Sequence, residues 1–464
     1  MQGDFSSYNS PLGYRYASPE MRELFSEATK YKLWRRVWVA LARAEHQAGL
    51  INDEELADLE ANQDTIDIAR ILEIERDTKH DVVAAIREYA EKAKIGGGKI
   101  HLGATSMDIN DNADAMRVKQ ALELIEDRLK ALLKVVAAQA DRHAETPCLG
   151  YTHLQPAEPT TIGYRLAFYG DDLLSDLQRI QGLHYRFVGK GMKGAIGTRA
   201  SYTAILEGTD MTAAQLDEKV MAELHLRPAL IATQVLTRKQ DYDILSALAG
   251  IGGSLAKMGA DIRLLQSPGF GEWSESFSDK QVGSSAMPFK KNPITAEKIC
   301  SLARQLAQLP AVALGNASHS YLERTLDDSA NRRMTTPEAF LLADEILITA
   351  TKLIEGLTIN GDRVAENLAQ FGPFAATEVL IIEAVKQGAD RQAMHELLRT
   401  VALEAWQQPQ PGKAMVELLK DNAELGKHVT SERLDELLDV RTHLGDAPDR
   451  VKQLVALIHK EVEG

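Results

Sequence analysis

Ile244, Leu248, Ile251, Leu255, Met258, Ile262 and Leu265 follow one another in alternating steps of four and three residues. Such spacing places them on one stripe of a long helix with near-heptad packing. Leu122, Ile125, Leu129, Leu132 and Val136 repeat the pattern. A third stripe is predicted to begin around Thr336-Pro337, read as an N-cap and first-turn proline, and to run through Leu342, Ile346 and Leu353. Apolar helical patterns also cover about 164–186 and 296–314. Long helices of this kind bury their stripes against one another or against another chain, so the expected fold class is all-α, an elongated helical bundle. Alternating strands and helices are missing, which leaves little support for a Rossmann fold or barrel. Gly250, Gly252 and Gly253 fall inside the first stripe, where small residues allow close packing, and Gly96-Gly97-Gly98 reads as a turn. The stretch GKGMKGAIGT, Gly189 to Thr198, has the look of a phosphate loop without its terminal G-K-[ST], so nucleotide hydrolysis is not indicated.

At about 150 residues per domain, 464 residues suggest three units. The expected boundaries are an N-terminal helical domain over 1–110, a central long-helix domain over 111–360 and a C-terminal helical domain over 361–464, where the pattern shortens. Lys+Arg 53 against Asp+Glu 67 leaves −14, which disfavours nucleic acid and anionic membrane as partners while allowing a local cationic pocket. Two cysteines, Cys148 and Cys300, make neither a disulfide framework nor a zinc site, and fit a reducing cytoplasm. The opening MQGDFSSYNSPLGYRY lacks the apolar core of a secretory signal, and the longest uncharged apolar-leaning run, Ile244 to Ala256, is short of a membrane span.

Reactive side chains concentrate in the polar inserts between helices, where binding and catalysis usually reside. His153 lies in a Tyr-Thr-His-Leu-Gln-Pro turn, a setting for a general acid or base, although a lone histidine is more often structural. Gly283-Ser284-Ser285 followed by Lys290, Lys291 and Asn292 combines hydroxyls, cations and an amide suited to a carboxylate; a solvated loop is the alternative. Arg324, Ser329, Arg332 and Arg333 offer donors for phosphate or carboxylate, or salt bridges to Asp327 and Asp328.

GSSAMPFKKNP, Gly283 to Pro293, matches the fumarase/aspartase superfamily loop G-S-S-x-M-P-x-K-x-N-P at every fixed position, and HLGATSMDINDN and the Thr-His turn, ahead of it in the right order and spacing, strengthen the match. SPLGYRYASPEM, TKHDV and ERTLDDSANRR resemble the adenylosuccinate lyase family within it, particularly the branch that includes the animal enzymes. The resemblance runs from about residue 11 to about 400, with the last sixty or so residues matching only loosely.

What the resemblance implies is elimination of fumarate from adenylosuccinate and from SAICAR. Ser284 would be the base that takes the succinyl Cβ proton, and His153 the acid that protonates the departing nitrogen. Lys290 and Asn292 would hold the substrate carboxylate and stabilise the aci-carboxylate. Arg15 and Tyr16 match the pair that grips the nucleotide phosphate, His80 and Asp81 a pair beside the substrate, and Thr105 and Ser106 the hydroxyl pair that binds the succinyl carboxylate. Gln234, Arg324, Ser329 and Arg333 also fall on binding positions, and His101 lies close to the site. Lys79 and Lys298 stand where the animal-type enzymes have arginine. The same resemblance implies a homotetramer with a twenty-helix core, stripes that are partly intersubunit surface, active sites assembled from three subunits, and no metal or organic cofactor. Other superfamily lyases, acting on substrates such as argininosuccinate or carboxy-muconate without a nucleotide phosphate, are the nearest alternative. A non-catalytic helical assembly protein is the alternative of a different class.

Overall fold

The computed structural model describes residues 6–277, 286, 287 and 289–463. Long helices dominate it, with Ser106–Arg142, Ile162–Arg186, Lys239–Gln266 and Ser329–Glu355 as the longest of the middle region. The expected stripes are the core of these helices. Leu122, Ile125, Leu129, Leu132 and Val136 are completely buried, and none of the seven stripe residues from Ile244 to Leu265 exceeds 5% exposure. The stripe residues are therefore covered within one chain, which corrects the expectation that the stripes are partly intersubunit surface.

Two further expectations change. Ser329–Glu355 starts before Thr336-Pro337 and keeps Pro337 inside the helix. A proline removes one helix bond and crowds the carbonyl four residues back, a local cost that a long packed helix tolerates. The segment expected over 296–314 is two helices, Ile294–Leu306 and Leu309–His319, because Pro310 opens a new first turn.

The chain folds into two compact units, each assembled from three separate stretches of sequence. The first comprises residues 1–128, 176–252 and 302–346. Helix Glu27–Gln47 runs through it with Trp34, Val37, Trp38 and Leu41 buried, and packs on helix Ala213–Glu223. The segment before helix Pro19–Leu24 is pinned by two backbone bonds: Ala17 N–H donates to Glu345 Oε2 (2.7 Å) and Ser18 N–H to Asp344 Oδ2 (2.6 Å).

The second unit comprises residues 129–175, 253–301 and 347–464. Its feature that a helical reading does not anticipate is an antiparallel hairpin of strands Pro147–Thr152 and Gln155–Thr161. The hairpin bulges between Leu149 and Tyr151, where a Cβ on Gly150 would stand 2.7 Å from the Glu158 carbonyl oxygen. The C-terminal helices close on a core of Leu380, Met394, Leu398, Met415 and Leu434. Gly361–Lys386 is the helical stretch among the described residues that is long and apolar enough to cross a membrane; its Ala376, Leu380 and Ala384 lie in that core.

Candidate active site

In the second unit, His153 and Leu154 are the two loop residues of the hairpin, between paired Thr152 and Gln155. Their φ values are +52° and +60°, the left-handed pair that a two-residue type I′ turn demands and that Asn-Gly usually supplies. Two side-chain residues held there store backbone strain of about 1–2 kcal/mol each. The hairpin base is fixed by Glu272, fully buried, which accepts from Tyr151 Oη (3.2 Å) and Asn367 Nδ2 (2.9 Å) and pairs with Arg165 (3.4 Å). Arg165 Nη2 also donates to the Leu149 carbonyl (2.8 Å). His153 thus projects from a rigid stem as an exposed side chain.

The same unit holds the entry to helix Ile294–Leu306. Glu275 accepts from the backbone N–H groups of Thr295 (3.0 Å) and Ala296 (2.6 Å), so a carboxylate caps a helix whose second turn carries Lys298. Lys290 N–H donates to the Met287 carbonyl (3.1 Å), and Lys290, Lys291 and Asn292 lead directly into this helix, the two lysines exposed and Asn292 half-buried. Ser284 lies outside the described residues.

The first unit gathers most of the remaining positions. Thr105 and Ser106 stand at the start of helix Ser106–Arg142, with Thr105 N–H donating to Asp108 Oδ2 (3.1 Å). A helix start that carries two hydroxyls makes a suitable seat for a carboxylate. His101, at φ +70°, receives a bond on Nδ1 from Trp38 Nε1 (3.1 Å). Indole N–H only donates, so the imidazole proton sits on Nε2. Burial pushes the His101 pKa down to about 4, with Asp108 opposing and His80 assisting, so it is neutral at pH 7.

Lys79, in the left-handed region at φ +53°, turns the chain into helix Asp81–Lys92. His80 Nδ1 accepts the Val83 N–H as the N-cap (3.4 Å), and Asp81 pairs with Arg333 (2.8 Å). Asp81, Arg324, Ser329 and Arg333 line one cavity of about 120 Å³ together with Asn110 of HLGATSMDINDN and with Lys30, Trp34 and Arg117, the last three outside every motif named above. Arg324 pairs with Asp328 (2.8 Å), as the salt-bridge reading expected, whereas Arg332 pairs not with Asp327 or Asp328 but with Asp241 (2.7 Å) and Asp114 (3.4 Å). Burial opposes ionisation of Asp328 and Asp114, yet Arg238 and Arg324 at the former and Arg117 and Arg332 at the latter hold both carboxyls below their usual range. Gln234 joins through its N–H, which donates to the Glu323 carbonyl (3.3 Å). Arg15 lies over the Tyr16 ring (5.9 Å) just ahead of the pinned Ala17-Ser18 backbone.

Comparisons with known proteins bear on this arrangement. Residues 13–307 match the family described as Lyase, and residues 373–454 that described as Adenylosuccinate lyase C-terminus. The latter match corrects the expectation that the end of the chain is only loosely similar. The chain is 37% identical over 469 aligned residues to the adenylosuccinate lyase of Schizosaccharomyces pombe, covering 97% of this chain and 95% of that one. It is 36% identical to that of Methanocaldococcus jannaschii, covering 96% and 95%. Such even similarity to a yeast and an archaeal protein singles out no branch. The fold superposes on 3-carboxy-cis,cis-muconate lactonizing enzyme from Pseudomonas putida with a TM-score of 0.87 at 28% identity, covering 98% of this chain and 100% of that one. Near-full-length identity to adenylosuccinate lyases, with the matching C-terminal family, places the chain in the adenylosuccinate lyase family.

Proposed function

We propose that the chain eliminates fumarate from adenylosuccinate, leaving AMP, and from SAICAR, leaving AICAR, in purine nucleotide synthesis. The observation that carries this reading is near-full-length similarity to proteins named adenylosuccinate lyase. The Arg324, Ser329 and Arg333 cluster, grouped on one cavity, supplies the donors a ribotide phosphate requires.

In this reading Ser284 takes the Cβ proton, the electron pair passes through an aci-carboxylate held by Lys290 and Asn292, and the C–N bond breaks as His153 protonates nitrogen. Thr105 and Ser106 bind the succinyl carboxylate. Arg15, Tyr16, Arg324, Ser329 and Arg333 hold the phosphate, while Lys79, His80, Asp81, His101, Gln234 and Lys298 complete the pocket. Side chains alone balance these proton transfers. The proposed protein is a cytoplasmic homotetramer of chains divided at about residues 110 and 360, each active site drawing on three subunits. Exposed Phe168, Tyr185 and Leu264, rather than the buried stripes, are the candidate contact residues.

Purified protein should convert adenylosuccinate with stoichiometric fumarate release, followed by the absorbance change, and AMP should compete. No fumarate from either ribotide overturns the reading. A lyase for a phosphate-free substrate such as a carboxy-muconate would be indifferent to AMP.

A further inference from the structure

We propose that Asp108, with Lys190 and Tyr202, is a positioning unit that orients Thr105 and Ser106 toward the substrate carboxylate; this rests on the reading of that pair given above. Asp108 is completely buried. One bond, from Thr105 N–H to Oδ2 (3.1 Å), would suffice to cap the helix start. The carboxylate accepts four further donors: Lys193 N–H (3.1 Å), Gly194 N–H (3.0 Å to Oδ2), Tyr202 Oη (3.1 Å) and the Lys190 ammonium. Three of these come from GKGMKGAIGT, the glycine-rich stretch that the proposed chemistry leaves without a task.

Lys190 is also completely buried and donates a second bond to the Gly194 carbonyl (3.3 Å). A buried ion pair is a poor source of stability, because desolvation offsets its attraction; what it supplies is a fixed geometry. The loop has no slack. Asp217, fully buried, accepts from Met192 N–H (2.7 Å), Lys193 and Arg199. A Cβ on Gly191 would stand 2.5 Å from Asp217 Oδ1, and one on Gly197 only 1.9 Å from the Ala232 carbonyl oxygen, two residues before Gln234. The loop is therefore clamped between Asp108 and the segment that carries Gln234, so its register sets the position of the Thr105 backbone.

The test separates the two halves of the ligand in the full-length protein. Fumarate and AMP affinities are measured by calorimetry, with KM and kcat for adenylosuccinate, in Asp108→Asn, Tyr202→Phe and Thr105→Val. Asp108→Asn should weaken fumarate binding and raise KM about tenfold, as for a lost charge-assisted hydrogen bond, with AMP affinity unchanged. Tyr202→Phe should shift fumarate binding in the same direction by a smaller factor, and it decides the matter if Asp108→Asn does not fold. Equal weakening of fumarate and AMP would mean a merely structural role and overturn the proposal. If Thr105→Val weakens fumarate while Tyr202→Phe and a folded Asp108→Asn leave it unchanged, positioning alone fails. If Thr105→Val also leaves fumarate binding intact, the reading of the hydroxyl pair fails and the proposal with it.

Discussion

His153 and Leu154 occupy backbone conformations that glycine adopts freely and side-chain residues do not. The acid role proposed for His153 accounts for the strain there, since a tight turn aims the imidazole from a fixed stem; Leu154 is 61% exposed and has no role in that proposal. Leu154→Gly should therefore raise folding stability by about 1 kcal/mol, seen as a higher melting temperature, while kcat falls because the turn that aims His153 loosens. A lower melting temperature would show that Leu154 contacts outweigh the strain. A second residue-scale device is Glu45, buried with Oε1 lacking a hydrogen-bond partner among the described residues. Burial pushes its carboxyl up to about 9 against the opposing pull of Lys99, whereas an unfolded chain ionises near 4.5. Between those values the folded chain keeps a proton that the unfolded chain releases, so stability falls as pH rises. Glu45→Gln removes this titration. Its melting temperature should exceed wild type by a margin that widens from pH 5 to pH 9, and parallel pH curves would refute the assignment. His101 acts on the acid side: with its pKa lowered to about 4, stability is lost as pH falls from 6.5 toward 4. His153 was legible because a polar turn flanks it; Trp38 was not, since it sits in an apolar helix stripe, and Asp108 and Asn110, although inside HLGATSMDINDN, look like ordinary helix-start polar residues with no task of their own.

The long helices could be read from the sequence because a buried stripe imposes its spacing on every turn, and Leu122 to Val136 and Ile244 to Leu265 are all core. Helix starts were less legible. Thr336-Pro337 satisfied the N-cap rule, yet the helix begins at Ser329, where packing overrides the local signal. The His153 hairpin escaped as strand because Gln155–Thr161 holds Pro156 and Pro159 and shows no apolar alternation; its pairing is sustained by the Glu272 network instead. The proposed site also depends on an element boundary, at Glu275. It is 8% exposed and caps the helix that follows Lys290 and Asn292. Glu275→Gln keeps the shape but loses the charge and one accepting oxygen, which should cost about 1 kcal/mol of stability. In the proposed reading Lys290, Asn292 and Lys298 act from this helix start, so kcat/KM should fall more than the melting temperature implies, an effect checked by assaying well below the transition. Unchanged kcat/KM would detach the helix cap from the chemistry.

For the whole chain, the net charge of −14 does not describe the cavity, where Lys30, Arg117, Arg324, Arg332 and Arg333 stand against Glu27, Asp81, Asp114 and Asp328, a local balance compatible with an anionic ligand. Large apolar side chains remain outside: Tyr185 is 81% exposed, Phe168 55% and Leu264 41%, on helices whose buried stripes are already satisfied. Exposed apolar groups of this size on rigid helices favour association. In the tetramer proposed here they pack between copies, and each active site is complete only when His153, Ser284 and the phosphate-binding residues arrive from different subunits. Replacing Phe168 and Tyr185 together by aspartate should then dissociate the assembly by burying charge at the contact, with each chain's own core untouched. Sedimentation velocity at the assay concentration, run beside fumarate release, reads both consequences. The expected result is a monomer of native helical content with no turnover, and activity that returns only with reassembly. A monomer at full turnover would show that one chain carries a complete site, and the three-subunit arrangement would have to be abandoned.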